Sequence, residues 1–151
     1  MTFTDVNIND VLSKMAKKNE EGFPFRLKWE LREVQDNFIH EVKISCQDKN
    51  APHLLMFHGY GSSGMLFYKM IADLKAYFNI TIIDFLGMGC SGRPTFQTKI
   101  INTPQLANDY FIVSTEAWIR KSNYRELVGD KGFTIVGHSF GGYIATIFAV
   151  S

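Results

Sequence analysis

The sequence predicts an α/β domain built on a mostly parallel sheet covered by helices, preceded by a short amphipathic helix and a hairpin. Three observations carry this. Residues 53–58 (HLLMFH), 80–85 (ITIIDF) and 133–136 are short, near-continuous apolar runs, as expected of strands buried on both faces. Each is followed by a segment that reads as a helix. Strand, helix, strand, helix, strand, helix implies a parallel sheet covered on both faces.

The elements come in order along the chain. Residues 5–18 read as an amphipathic helix, because Ile8, Val11, Leu12 and Met15 recur at helical spacing. Such a face packs on its own domain or lies on a membrane or partner. Gly22-Phe23-Pro24 breaks it. Residues 25–34 and 38–46 then read as two strands joined through Gln35-Asp36-Asn37. These features divide the chain into an N-terminal helix and linker at 1–24 and a partial α/β domain at 25–151. After the first buried strand, Ser62 or Ser63 caps a helix whose Phe67, Met70, Ile71 and Leu74 form one apolar stripe. Thr103-Pro104 has the cap-then-proline form of a helix start, and Ala107, Tyr110, Phe111, Ser114 and Trp118 lie on one side of that helix. A last helix begins near Phe140 and runs apolar to Ser151 without a stop signal.

Composition narrows the function. With 151 residues, 46% apolar and 14% aromatic content, the chain has material for one globular core. A net charge of +1, with lysines scattered singly apart from Lys17-Lys18, offers no face for phosphate backbones, so nucleic acid is not the expected partner. Cys46 and Cys90 have neither disulfide-framework nor metal-ligand spacing and read as reduced thiols; no metal and no cofactor is expected. Asp5, Asn7, Asn9 and Asp10 interrupt any signal-peptide core, and no apolar run approaches the ~20 residues that span a bilayer. The expected setting is cytoplasmic, with peripheral contact to membranes or lipid droplets as an option.

The chemistry lies in three loops, each following one of the buried strands. Gly137-His138-Ser139-Phe140-Gly141 fits G-x-S-x-G with a strand before it and a helix after it. A nucleophilic serine on such a turn is held in strained backbone geometry with its hydroxyl pushed out above the sheet. Gly137 and Gly141 lack side chains where strand and helix approach closely. The Phe140 N–H falls at the positive end of the new helix, where an oxyanion is stabilised. His58-Gly59-Tyr60-Gly61 ends the first buried strand, and its Tyr60 N–H is the second candidate donor, with His58 and Gly59 supporting the loop. Asp84 opens a glycine-rich loop through Gly87, Gly89 and Gly92. It lacks the G-K-[ST] of a phosphate loop, so Asp84 and Arg93 are assigned to tying the loop down beside the site.

In this order, H-G-x-G, D-x-x-G-x-G-x-S and G-x-S-x-G resemble the N-terminal half of an α/β-hydrolase domain over roughly residues 25–151. The segments at 84–96 (DFLGMGCSGRPTF), 111–118 (FIVSTEAW) and 137–145 (GHSFGGYIA) are similar to the lipid-metabolising branch that holds N-acyl phospholipid lipases, a cardiolipin deacylase and the triglyceride lipase coactivator. The resemblance implies a serine hydrolase of carboxylic esters, a phospholipase or lysophospholipase/acyltransferase acting on a lipid or other small ester. The coactivator type carries asparagine in place of the nucleophile, whereas this chain has Ser139. In this fold the acid and then the histidine follow the nucleophile. Residues 140–151 hold no Asp, Glu or His, so the sequence leads to the expectation of a truncated domain without its catalytic acid and base. His138 adjoins the serine and should point away from its hydroxyl; His58 is better suited to fixing a loop; His40 is expected on an outer strand, and His53 at the strand end far from the site. The alternatives are a non-catalytic, lipid-associated regulatory or interaction protein, or an inactive fragment.

Overall fold

Alternation of side chains along β-strands dictates the two-sided core. The computed structural model describes residues 2–5 (backbone only), 38–95, 98 and 101–150. Five strands, β1 (Thr2–Asp5), β2 (Phe38–Ile44), β3 (His53–Phe57), β4 (Asn79–Ile83) and β5 (Phe133–Gly137), form one sheet in the order β1-β2-β4-β3-β5. The β4-β3-β5 trio is parallel, with Phe57 opposite both Ile83 and Gly137. On the other flank β2 runs antiparallel to β4 and to β1, so that half of the sheet is antiparallel.

Successive residues of β3 point to opposite faces. Leu55 and Phe57 join Ile83, Phe85, Phe111, Trp118 and Ile144 in the larger core, while Leu54 and Met56 join Phe67, Ile80 and Ile82 in the smaller one. A 3₁₀ turn (Gly64–Phe67) and α1 (Tyr68–Leu74) cover the smaller core. The larger core lies beneath α2 (Pro104–Lys121), α3 (Tyr124–Val128) and α4 (Phe140–Val150). The parallel sheet with helices on both faces therefore stands as expected.

Boundaries and faces show where local pattern and tertiary contact part. Thr103 caps α2 by accepting from the Leu106 N–H at 3.2 Å, with Pro104 just inside the helix. The expected one-sided stripe of α2 is in fact a nearly complete girdle: Asp109, Ile112, Val113, Thr115 and Ile119 are buried along with Tyr110, Phe111, Ser114 and Trp118. In the helix after Ser63, Phe67, Ile71 and Leu74 pack inward, but Met70 is exposed. The opening 3₁₀ turn advances by three residues per turn and shifts the phase of α1 behind it. The strand expected at 80–85 ends at Ile83, before Asp84 turns its carboxylate to the loops. The expected hairpin partner at 25–34, its turn at 35–37 and the helix over 6–18 lie outside the described residues. Asp5, expected to start that helix, instead closes β1, opposite Phe38.

Candidate functional site

Three loops meet because the three parallel strands end together. From β3 the chain crosses to β4 by way of α1 on one face; from β4 it passes by way of α2 on the other face to β5, beyond β3. The loops leaving β3 and β5 thus depart toward opposite faces, which opens a crevice at the carboxyl ends of the strands.

The turn after β5 carries the nucleophile candidate. Ser139 has φ = 52°, left-handed backbone that a residue with a Cβ adopts at a cost of about 1–2 kcal/mol. The Gly141 N–H donates to the His138 carbonyl at 2.9 Å, and the Gly142 and Tyr143 N–H groups donate to the Ser139 carbonyl at 2.9 and 3.1 Å. A Cβ on Gly137 would collide with the Gly141 backbone, and one on Gly141 with the Phe57 and His58 carbonyls. Both positions therefore require glycine to bring helix and strand into backbone contact. Ser139 itself is exposed. Phe140 opens α4, so its N–H precedes any carbonyl four residues back within the helix. The Phe140 ring lies 5.0 Å from Phe111, 5.8 Å from Phe85 and 6.0 Å from Tyr60 (centroids), and this packing anchors the start of the helix.

The loop after β3 lies directly against that turn. The His138 N–H donates to the Phe57 carbonyl at 3.0 Å, and a Cβ on Gly59 would come within 3.1 Å of His138 Nδ1. Tyr60 is 78% exposed, whereas His58 has no accessible surface. His58 Nε2 lies 3.0 Å from the Phe85 amide nitrogen, and Nδ1 lies 2.7 Å from the Gly59 carbonyl. Desolvation holds the imidazole below its ordinary pKa, outweighing the Gly59 bond and the Asp84 charge, which act in the opposite direction. His58 is thus a neutral ring with both nitrogens engaged.

Asp84 is the hub of the third loop. Its Oδ1 accepts from the Gly64 N–H at 2.6 Å; its Oδ2 accepts from the Cys90 N–H at 2.8 Å and lies 3.0 Å from His40 Nδ1. Ser91 Oγ donates to the Asp84 carbonyl at 2.5 Å and accepts from the His40 N–H at 2.9 Å. Arg93 does not pair with Asp84; its guanidinium donates to the Gly89 carbonyl at 2.7 Å and the Ser91 carbonyl at 3.4 Å. The donor atoms of His40, Asp84 and Cys90 lie within 4.8 Å of one another. Because the Asp84 carboxylate already takes two backbone amides and the imidazole, the trio reads as a hydrogen-bonded strut and not as a metal centre.

Sequence reasoning missed His40 and Gly64 as partners of Asp84. Nothing local could have revealed them: they lie 44 and 20 residues away in the chain. His40 is also not on an outer strand, since β1 covers the far side of β2 and the His40 side chain is buried. His53 opens β3, at the end remote from the three loops.

Comparison with known proteins agrees with this architecture. The model of the α/β-hydrolase fold family matches residues 52–150. The chain is 34% identical over 116 residues to a 1-acylglycerol-3-phosphate O-acyltransferase of Arabidopsis thaliana, covering 77% of this chain and 25% of that one. It is 34% identical over 114 residues to the (lyso)-N-acylphosphatidylethanolamine lipase of Mus musculus, covering 76% and 30%. Among solved structures, Cfl2 of Burkholderia cenocepacia superposes with a TM-score of 0.58 at 19% identity, over 74% of this chain and 33% of that one. An epoxide hydrolase of Bacillus megaterium gives 0.55 at 19% identity, over 74% and 34%. The chain spans about a quarter to a third of the length of the relatives it matches.

Proposed function

This chain belongs to the α/β-hydrolase fold family, and on that premise we propose that it carries the nucleophile half of a serine hydrolase or acyltransferase acting on lipid carboxylic esters. The observation that supports this above others is the left-handed backbone of Ser139 on a strand-to-helix turn. A strained, exposed serine between two obligatory glycines has no evident packing role, and strain of this kind collects at functional sites. The relatives' lipid substrates support a phospholipid or lysophospholipid as the ester; that it is met from the cytoplasm at a membrane or droplet surface is part of the proposal.

In this reading Ser139 Oγ attacks the acyl carbon, and the tetrahedral oxyanion forms between the Tyr60 and Phe140 N–H groups. Collapse expels the alcohol with a proton and leaves an acyl-serine. Water then releases the acid, or a lysophospholipid hydroxyl accepts the acyl group. His58, Gly59, Gly137, Gly141 and Asp84 hold the donors and the nucleophile in register. A serine hydroxyl needs a base to be nucleophilic at neutral pH. His58 has both nitrogens occupied, His40 is engaged with Asp84, and residues 140–151 contain no Asp, Glu or His. The reading therefore draws its acid and histidine from the part of the relatives that these residues do not span.

A fluorophosphonate probe tests the proposal. Ser139 of the full-length protein should be covalently labelled, the Ser139→Ala variant should show no labelling, and lysophospholipid or p-nitrophenyl ester hydrolysis should fall with it. A folded protein that leaves Ser139 unmodified overturns the serine-hydrolase reading in favour of a non-catalytic role.

A further inference from the structure

His58 fixes the orientation of one peptide plane. The Phe85 N–H can only donate, so His58 Nε2, 3.0 Å away, must be its acceptor and carry no proton. The proton of the neutral ring then sits on Nδ1, which donates to the Gly59 carbonyl at 2.7 Å. That carbonyl and the Tyr60 N–H belong to the same trans peptide and point in opposite directions. A second bond, from the Ser62 N–H at 3.2 Å, holds the same oxygen. From this we infer that His58 is a positioning residue: as the Nδ1-protonated neutral imidazole it locks the Gly59–Tyr60 peptide so that the Tyr60 N–H faces the nucleophile, and it couples that donor to acid. This rests on the serine-hydrolase reading above.

Protonation of Nε2 would set two donors, the imidazolium N–H and the Phe85 N–H, against each other. Among the described residues, the groups facing the ring are few. Asp84 Oδ1 lies 3.9 Å from Nε2 but takes the Gly64 N–H; His40 is occupied with the other Asp84 oxygen; His138 borders Gly59 from the adjoining turn. An imidazolium would turn toward Asp84, release the Phe85 amide and rotate the Gly59–Tyr60 plane away from its acceptor. The donor is thus present at neutral pH and withdrawn in acid.

The test uses the full-length protein with nitrogen-15 histidine and a fluorophosphonate. At neutral pH the His58 resonances should report a protonated Nδ1 and a bare Nε2, titrating below the ordinary histidine midpoint of about 6.5. The rate of Ser139 labelling should fall through that same midpoint. His58→Phe should slow labelling about 100-fold, the scale of one lost oxyanion donor. His58→Gln, which restores an acceptor for the Phe85 N–H, should recover most of that rate and lose the acid step at the His58 midpoint. An Nε2-protonated ring overturns the inference, as does labelling by folded His58→Phe at the wild-type rate. Should His58→Phe not fold, a wild-type labelling rate indifferent to the His58 midpoint overturns it equally. Wild-type labelling insensitive to His58 leaves the serine-hydrolase reading standing, whereas a wild type never labelled at Ser139 sinks both.

Discussion

Two glycine-rich turns leave the same end of the sheet, and they place backbone strain differently. In the loop after β4, the left-handed positions fall on Gly87 (φ 89°) and Gly89 (φ 54°), where the conformation costs little. That loop wraps a buried carboxylate, and Gly89 is also needed because a Cβ there would collide with Asp84. In the turn after β5, the left-handed position falls on Ser139, while the glycines beside it, Gly137 and Gly141, are there for closeness and not for φ. The first turn minimises its own energy. The second retains a destabilising residue and removes every side chain that would obstruct it, which is the pattern of a turn shaped for chemistry.

The contrast can be broken at several points. Asp84→Ala should be the most destabilising change, because it strands the Gly64 and Cys90 amides and the His40 ring together; a loss of about 3–5 kcal/mol, or a Tm drop on the order of 10 °C, is expected in thermal melts. A melt close to wild type would mean that the loop does not depend on its hub. Gly141→Ala should cost about 3 kcal/mol by forcing a methyl into the Phe57 and His58 carbonyls, with labelling of Ser139 suppressed even in the folded fraction.

Smaller effects sharpen the same point with opposite signs. Ser139→Gly should raise stability by about 1 kcal/mol, read as a Tm increase of roughly 3 °C, while abolishing labelling. Gly87→Ala, at a position with open space around the missing Cβ, should lower stability by about 1 kcal/mol through φ alone and leave labelling nearly intact. If Ser139→Gly were destabilising, the idea of strain held on the nucleophile would fail.

Acid supplies the last contrast. His58 has its pKa depressed in the folded protein, so the unfolded chain binds the proton first as pH falls. The stability this group contributes is complete above about 6.5 and is lost as pH drops through the lower folded value. Chemical denaturation across that window should show a slope in wild type that His58→Gln reduces.

Local chemistry made much of this legible in advance. The parallel strands could be read from apolar runs of four to six residues, and the turn at Ser139 from two glycines flanking a serine between a strand and a helix. Other residues gave no such sign. In β2, the consecutive polar residues His40 and Glu41 point to opposite faces, yet both are buried. Glu41 accepts from the indole of Trp118, 77 residues later in the chain, at 2.8 Å and from Lys43 at 3.1 Å. Periodicity reports which way a side chain points, not what it will meet there.

The sequence by itself determined the three parallel strands, the helices that follow them and the loop that carries a strained serine, because backbone propensity, capping and glycine requirements act over a few residues. Only the tertiary structure decided that β3 lies between β4 and β5, that β1 seals β2, and that His58 clasps the amide after Asp84. Those facts depend on contacts between distant parts of the chain, and hydrophobic burial, which drives them, is blind to sequence separation.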